Sequence, residues 1–272
     1  MKVVLTGATR GLGAIAAREL AAQGHDLVLV VRDPERTAAL PGVIDVVAAD
    51  LGDLDQVGRA AATIRGRHPK IDVLINNAGL HAFTARTTAA GLPEMVTVNY
   101  LAPWLLTREL LPTSPERIVT VASEASRHHG TFSLPEALTD TAPFTRRGSS
   151  AVYGRTKLLD IMFSNELARR TGATANALDP GFNTTGLGRE LPGAAVLEKL
   201  LKTLHVGDPR RGAGGIVRLA TDPALATVTG GYFSARTGKP IIPVVPAGDA
   251  ALERRLWETT EEIIESARAR TA

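Results

Sequence analysis

The sequence predicts an α/β fold, a doubly wound parallel sheet of about seven strands with helices on both faces. Short apolar runs alternate with stretches of helical periodicity, as in βαβ units with right-handed crossovers. Of the 272 residues, 44% are hydrophobic but only 4% aromatic, so the core must consist mainly of Ala, Val, Leu and Ile, as in a buried parallel sheet. No linker, internal repeat or low-complexity tract divides the chain, and we therefore expect one domain over residues 1–272.

Seven apolar runs are the predicted strands. They lie at residues 3–5, 27–31, 45–49, 71–75, 117–121 and 173–178, with a last run that begins at Tyr232. The predicted helices lie at residues 11–23, 54–65, 93–111 and 152–170. Gly24 stands where a C-cap ends the first helix, and we expect Pro103 to bend the third. The residues at about 249–268 predict a charged amphipathic helix at the end of the chain.

Two segments interrupt the alternation of strands and helices. They lie at about residues 124–150 and 182–205, and the second includes a short predicted helix at about 194–204. Both follow a strand directly, so we expect them to form the walls and lid of a substrate site. Their larger apolar side chains favour a bulky hydrophobic substrate, although the same side chains could equally anchor the loops. These residues are Phe132, Leu134, Phe144, Phe182 and Leu187.

Composition argues against several other functions. The net charge is only +3 and no block of basic residues is present, so nucleic-acid binding is not expected. The chain has no cysteine, which excludes disulfides and thiolate chemistry. No apolar run has the length of a membrane span or a signal peptide, so we expect a soluble, cytoplasmic protein. Adjacent His128 and His129 have no nearby acid or Cys to complete a ligand set, and no metal site is predicted.

A glycine-rich loop links the first predicted strand to the first predicted helix. Residues 6–13 read Thr-Gly-Ala-Thr-Arg-Gly-Leu-Gly. Glycines at such a junction allow a tight turn and close backbone approach, so that a pyrophosphate can bind at the helix N-terminus. A tight turn with no ligand is the alternative, but the position in a βαβ unit favours a Rossmann-type dinucleotide site. The candidate contact residues are Gly7, Thr9, Arg10, Gly11, Leu12 and Gly13.

The end of the second strand bears on which dinucleotide binds. An acid there typically holds the ribose of NAD, whereas an Arg accommodates the 2′-phosphate of NADP. Arg32 and Asp33 are adjacent, and Arg32 comes first after the apolar run. Arg10 in the glycine loop could supply a second positive charge. The sequence therefore favours NADPH, although Arg32 could also be a solvated loop residue.

Other polar or glycine residues follow successive strands. In an open parallel sheet, ligands bind outside the carboxyl ends of the strands, so these residues are expected at one edge. They are Asp50 and Leu51 after the third strand, Asn77, Ala78 and Gly79 after the fourth, Ser123 after the fifth, and Pro180 and Gly181 after the sixth. Asp50 could accept a hydrogen bond from an adenine amino group or could shape a turn.

Tyr153 and Lys157 are the candidate acid–base pair. Their i,i+4 spacing puts them on one face of a helix. A phenol has a pKa near 10, and a neighbouring ammonium lowers it. The hydroxyl of Ser123 could polarise a carbonyl oxygen. Asn99 could reach Lys157 through a water molecule, or its amide could be satisfied locally.

Together these motifs resemble the short-chain dehydrogenase/reductase superfamily over nearly the whole chain. The matching motifs are T-G-x-x-x-G-x-G at 6–13, N-N-A-G at 76–79 and Y-x-x-x-K at 153–157. Residues 98–107 and 256–262 are similar to the retinol-dehydrogenase-like group. The resemblance implies a catalytic tetrad of Asn99, Ser123, Tyr153 and Lys157, and it implies that Thr185 lies near the nicotinamide carboxamide and that Arg32 goes with NADPH.

The expected activity is NADPH-dependent reduction of a carbonyl compound to an alcohol, with Tyr153 as proton donor. One alternative is an alcohol dehydrogenase that uses NAD⁺ in the oxidative direction. Another is a dinucleotide-binding sensor without catalysis. A homodimer is possible, since the helix that bears Trp104 could be a dimer face or simply core.

Overall fold

A seven-stranded sheet forms the centre of the computed structural model, which describes residues 1–37, 41–181 and 208–271. The strands run in the order β3-β2-β1-β4-β5-β6-β7, and all neighbouring pairs are parallel. They are β1 (Lys2–Thr6), β2 (Asp26–Val31), β3 (Val43–Ala48), β4 (Val73–Asn76), β5 (Arg117–Val121), β6 (Thr174–Asp179) and β7 (Tyr232–Ser234). The order reverses between β1 and β4, and that switch point is where ligands bind in doubly wound sheets.

Helices cover both faces of this sheet. Within the described residues they are α1 (Gly11–Ala22), α2 (Leu54–Arg67), α3 (Glu94–Val96), α4 (Ala102–Leu110), α5 (Glu136–Thr139), α6 (Ser149–Arg170), α7 (Pro209–Thr221) and α8 (Ala250–Thr271). Because side chains alternate along a strand, Val3 and Leu5 pack in the core under α1 and α7. Val4 packs in the opposite core, under α2, α4, α6 and α8. The predicted fold class is therefore confirmed.

The helix predicted at residues 93–111 is not uniform. It begins as α3, continues as a π-helical turn at Thr97–Leu101, and becomes α4, which has Pro103 in its first turn. Proline has no N–H to donate to the carbonyl four residues earlier, and here that residue is Asn99. The wider π-helical turn accommodates the missing bond, and it includes a residue of the predicted catalytic tetrad.

The structure describes the first irregular segment but not most of the second. Residues 124–150 contain a 3-10 helix, Glu124–His128, and α5, and their last two residues already belong to α6. Most of the second segment, with Phe182, Thr185, Leu187 and the helix predicted at 194–204, lies outside the described residues. Within residues 1–37, 41–181 and 208–271, no helix combines the length and apolar character that crossing a bilayer would demand.

Candidate active site

A pocket of about 460 Å³ opens at the carboxyl edge of the sheet, at the switch point between β1 and β4. It brings together most of the residues that the sequence predicts for a dinucleotide site. The predicted residues that line it are Gly7, Thr9, Arg10, Gly11, Leu12, Gly13, Arg32, Asp50, Leu51, Asn77, Ala78, Gly79, Tyr153, Lys157 and Pro180. Gly181 follows Pro180 but does not line the pocket, and Thr185 lies beyond the part of the chain that the structure describes.

The glycine loop can be built only with glycine at its key positions. Gly7 has φ +73°, and a Cβ at Gly13 would lie 2.3 Å from the carbonyl oxygen of Gly7. Gly7 therefore serves the tight turn, while Gly13 lets α1 pack closely against the end of β1. Gly11, with φ +56°, stands between them at the start of α1. This geometry fits a pyrophosphate at a helix N-terminus.

Thr6 and Asn77 lock the ends of β1 and β4 together. The Thr6 hydroxyl oxygen accepts the backbone N–H groups of both Asn77 and Ala78 at 3.0 Å. The Asn77 side-chain amide donates to the Thr6 carbonyl at 2.8 Å. The N-N-A-G segment is therefore held against the glycine loop, where both border the same pocket.

Positive charge borders the pocket beyond the end of β2. Arg32 is exposed on the pocket wall, and Arg36, which the sequence analysis missed, lies there as well. Asp33 forms an ion pair with Arg36 at 2.8 Å, so the acid at this position is already engaged by a cation. The Asp50 carboxylate accepts the Gly52 N–H at 2.9 Å, which is the turn role, while Asp50 also lines the pocket.

Lys157 is nearly buried, with 5% of its side chain exposed. Its Nζ donates to the carbonyl of Val121, at the end of β5, and to Asp160, both at 2.8 Å. It lies 5.8 Å from the ring centroid of Tyr153. An ammonium has three N–H donors, so one remains for a ligand in the pocket that Lys157 lines.

Ser123 lies where β5 ends and α6 approaches. Its hydroxyl oxygen accepts the Ala125 N–H at 3.1 Å and caps the 3-10 helix. A Cβ at Gly154 would lie 2.4 Å from the Ala125 carbonyl oxygen, so α6 packs tightly on this segment next to Tyr153. Val121 and Ala122 line the pocket, and Ser123 is the next residue along the chain.

Asn99 is tied to two other segments of the protein. Its side chain accepts the Leu80 N–H at 2.8 Å and donates to the Leu80 carbonyl at 2.9 Å. It also donates to the Thr156 hydroxyl at 3.0 Å, and that hydroxyl in turn donates to the Tyr153 carbonyl. Asn99 thus holds the chain after Gly79 and the turn of α6 that bears Tyr153, and it does not itself line the pocket.

His81 stacks on the ring of Tyr153. The ring centroids of His81 and Tyr153 are 4.7 Å apart, with an interplanar angle of 13°. The ring of Phe83 also stacks on His81, with 4.6 Å between the centroids. The Arg146 guanidinium lies 6.0 Å from the Phe83 ring centroid. The His81 side chain is half-buried. Only tertiary packing brings it onto Tyr153, so no spacing pattern could have found it.

Burial and two acids, Asp160 and Asp179, shift the pKa values of the Tyr153–Lys157 pair. Burial raises the pKa of Tyr153, Lys157 opposes this rise, and Asp160 and Asp179 add to it. Burial lowers the pKa of Lys157, but Asp160 and Tyr153 outweigh it, so that the ammonium form is favoured. Burial raises the pKa of Asp160 to about 6, against the effect of Lys157. Among the described residues, no group of His, Asp or Glu side chains is arranged to hold a metal ion.

The comparisons with known proteins agree with this geometry. The family model described as short chain dehydrogenase matches residues 1–134. A Streptomyces protein provisionally named daunorubicin C-13 ketoreductase is 33% identical over 268 residues, covering 95% of this chain and 90% of its own. Human retinol dehydrogenase 13 is 31% identical over 283 residues, covering 96% and 84%. The crystal structure of an uncharacterised Mycobacterium paratuberculosis protein, 28% identical, superposes with a TM-score of 0.77, covering 97% of this chain and 93% of that one.

Proposed function

Since the chain belongs to the short-chain dehydrogenase/reductase superfamily, in its retinol-dehydrogenase-like group, we propose that it is an NADPH-dependent reductase that converts a bulky hydrophobic ketone or aldehyde to an alcohol. One observation carries this proposal. Tyr153 and Lys157 lie on the wall of the same pocket that the glycine loop borders. A proton donor and a dinucleotide cradle therefore share one cavity.

The residues of the site divide the chemistry between them. NADPH held in this pocket would supply a hydride, with its two electrons, for the carbonyl carbon. Tyr153 donates its phenolic proton to the carbonyl oxygen, and the tyrosinate then regains a proton from solvent. Ser123 stabilises the developing oxyanion with a hydrogen bond, because its own oxygen already accepts the Ala125 N–H. Positioned proton transfer of this kind contributes on the order of 10²–10⁴ in rate.

The test of this mechanism is Tyr153→Phe. We expect turnover of a responsive ketone to fall by about 10²–10⁴, while NADPH binds with nearly unchanged affinity because the phenol is not part of the glycine loop. Steady-state NADPH oxidation measures turnover, and titration calorimetry measures binding. Tyr100→Phe is the matched control, since its hydroxyl contacts Thr260 in the core at 2.8 Å. Turnover like that of the wild type in Tyr153→Phe contradicts the proposal.

The preference for NADPH rests on the charge around the pocket. Arg10, Arg32 and Arg36 all line it, and a guanidinium pairs well with a phosphate. Asp33, the acid that would favour NAD at this position, is paired with Arg36. A 2′-phosphate is therefore the better match to this end of the pocket.

Removing both Arg32 and Arg36 tests this preference. In the double variant Arg32→Ala/Arg36→Ala we expect the Kd for NADPH to rise at least about tenfold, because hydrogen bonds to charged groups contribute about 1.5–3 kcal/mol each. The Kd for NADH should stay the same or fall, because Arg36→Ala releases Asp33 from its ion pair. Arg18→Ala, an exposed arginine of α1, is the control. Higher catalytic efficiency of the wild type with NADH than with NADPH would instead favour the NAD-dependent alcohol dehydrogenase.

The aromatic side chains beside Tyr153 support a flat, hydrophobic substrate. His81 and Phe83 extend the Tyr153 ring into a stacked wall, and such rings favour offset-stacked partners. The two relatives are named as a ketoreductase and a retinol dehydrogenase, and both names imply a carbonyl/alcohol pair. Aromatic polycyclic ketones are accordingly the first substrates to assay.

A further inference from the structure

Asp160 is a buried acid that none of the motifs includes. Its side chain is 1% exposed, and its Oδ2 accepts a hydrogen bond from Lys157 Nζ at 2.8 Å. The other carboxylate oxygen, Oδ1, is buried with no hydrogen-bond partner within the described part of the chain. Asp160 lies three residues after Lys157 on α6, the spacing at which two side chains of a helix meet.

Burying this ion pair costs free energy, which favours a role for the acid at the site. Two charges removed from water lose several kcal/mol each, and a buried ion pair often adds no net stability. A buried carboxylate oxygen without a partner adds to that cost. A purely structural requirement could be met by an apolar side chain, as at the neighbouring Leu158, Leu159 and Ile161, which are all fully buried.

The position of Asp160 gives it leverage over both members of the acid–base pair. Lys157 is held between the Val121 carbonyl and Asp160, which fixes the direction of its third N–H. The Lys157 ammonium lies 5.8 Å from the Tyr153 ring centroid. Any negative charge bonded to that ammonium therefore weakens the positive field at the phenol.

Other charged or titratable groups also face this pair. Asp179, at the end of β6, acts on Tyr153 in the same direction as Asp160. His81, from the segment after β4, stacks on the phenol ring. Elements packed against α6 also carry Glu94 of α3, which lines the pocket, Tyr100 of the π-helical turn, and Glu124, Arg127 and His128 of the 3-10 helix after β5. Glu253 of α8 contacts α6 as well, but at Asn165, far along the helix from this pair. Among the acids of the described residues, only Asp160 is hydrogen-bonded to Lys157.

We propose that Asp160 is a positioning residue for the Tyr153–Lys157 pair. Its carboxylate holds the Lys157 ammonium in place and offsets part of its charge, so that the phenol keeps its proton and serves as an acid in the reductive direction. The catalytic part of this inference rests on the proposed function. Its electrostatic part concerns Tyr153 alone and can be measured without cofactor or substrate.

The test is the ionisation of Tyr153 in the cofactor-free, full-length protein. Ultraviolet difference spectroscopy follows tyrosinate formation as the pH rises, and subtraction of the Tyr153→Phe curve isolates Tyr153. The other two tyrosines do not interfere, because burial raises the pKa of both Tyr100 and Tyr232 far above the usual value. Asp160→Asn removes the charge while keeping the shape of the side chain and an oxygen that can accept from Lys157.

We expect the pKa of Tyr153 to fall by about one unit in Asp160→Asn, since a neighbouring negative charge disfavours tyrosinate and its removal relieves that effect. The alkaline limb of the reductive kcat profile should move to lower pH by the same amount, because the reaction needs the protonated phenol. Glu253→Gln is the matched control. It also neutralises a buried acid, but one that bonds Asn165, about 18 Å along the helix from Tyr153 at 1.5 Å per residue.

A Tyr153 pKa that stays unchanged or rises in Asp160→Asn overturns the proposal, as does an equal fall in Glu253→Gln. If Asp160→Asn does not fold, as shown by circular dichroism, Asp160→Ser provides the same charge removal with a smaller side chain. The two proposals fail separately. An unchanged Tyr153 pKa in Asp160→Asn counts against the role of Asp160. Undiminished turnover in Tyr153→Phe counts against the proposed function.

Discussion

At the scale of single residues, the hydrogen bonds of Ser149 determine how His81 presents its ring to Tyr153. Ser149 donates its only hydroxyl hydrogen to the Arg146 carbonyl at 2.7 Å. Its oxygen must therefore accept the hydrogen bond from His81 Nε2, which lies 3.1 Å away. His81 Nε2 thus carries a proton, and the ring is held nearly parallel to the phenol.

We predict that this arrangement makes His81 a determinant of substrate preference. In His81→Ala we expect kcat/KM for aromatic polycyclic ketones to fall about two- to tenfold, because an aromatic stacking contact contributes about 0.5–1.5 kcal/mol. Small aliphatic ketones should be affected much less. The measurement is steady-state NADPH oxidation with both classes of substrate.

His81→Phe is the informative companion to that variant. It keeps a flat ring beside Phe83 and Tyr153 but removes the hydrogen bond to Ser149, so we expect it to retain most of the activity on aromatic ketones. If His81→Phe is as impaired as His81→Ala, the hydrogen bond matters and the ring does not. Equal losses on aliphatic and aromatic substrates would argue against a stacking wall.

At the scale of elements, the strands could be predicted because most of them, such as β1, β2, β4 and β5, are apolar runs buried on both faces. β1, β2 and β5 lie within one residue of the predicted bounds, as with Lys2–Thr6 against residues 3–5. The glycine loop could be predicted because Gly7, Gly11 and Gly13 are required by the backbone itself. Local sequence carries both kinds of information.

Helix boundaries and cross-element contacts could not be predicted in the same way. The π-helical turn before Pro103 depends on how the chain absorbs a missing hydrogen bond. Asp160 stands at helical spacing from Lys157, but spacing alone does not separate a buried ion pair from a surface one. Arg36 reaches the pocket, and His81 reaches the Tyr153 ring, only through the folding of segments that have no period. The candidate site was therefore predictable at strand ends and less so where loops fold over it.

At the scale of the whole molecule, α8 closes the face formed by α4 and α6. Trp257 of α8 packs on Trp104 at 5.1 Å and on Phe163 at 5.9 Å between ring centroids. Trp104 is 2% exposed. Its side chain therefore belongs to the core, and not to a dimer face, which was the other possibility for its helix. A homodimer stays a prediction, and its interface would have to use other surfaces than the one that α8 covers.

The contribution of this closure can be measured with Trp257→Ala. We expect the free energy of unfolding to fall by about 3–5 kcal/mol, the usual cost of removing a large buried aromatic side chain, as measured by denaturant titration followed by far-ultraviolet circular dichroism. Trp257→Phe, which keeps a ring against Phe163, should lose much less. Phe163 lies about 15 Å along α6 from Tyr153 at 1.5 Å per residue, so kcat well below the unfolding transition should remain close to that of the wild type. A loss under about 1 kcal/mol would mean that α8 packs too loosely to stabilise this face, and a large fall in kcat would mean that α8 also positions Tyr153.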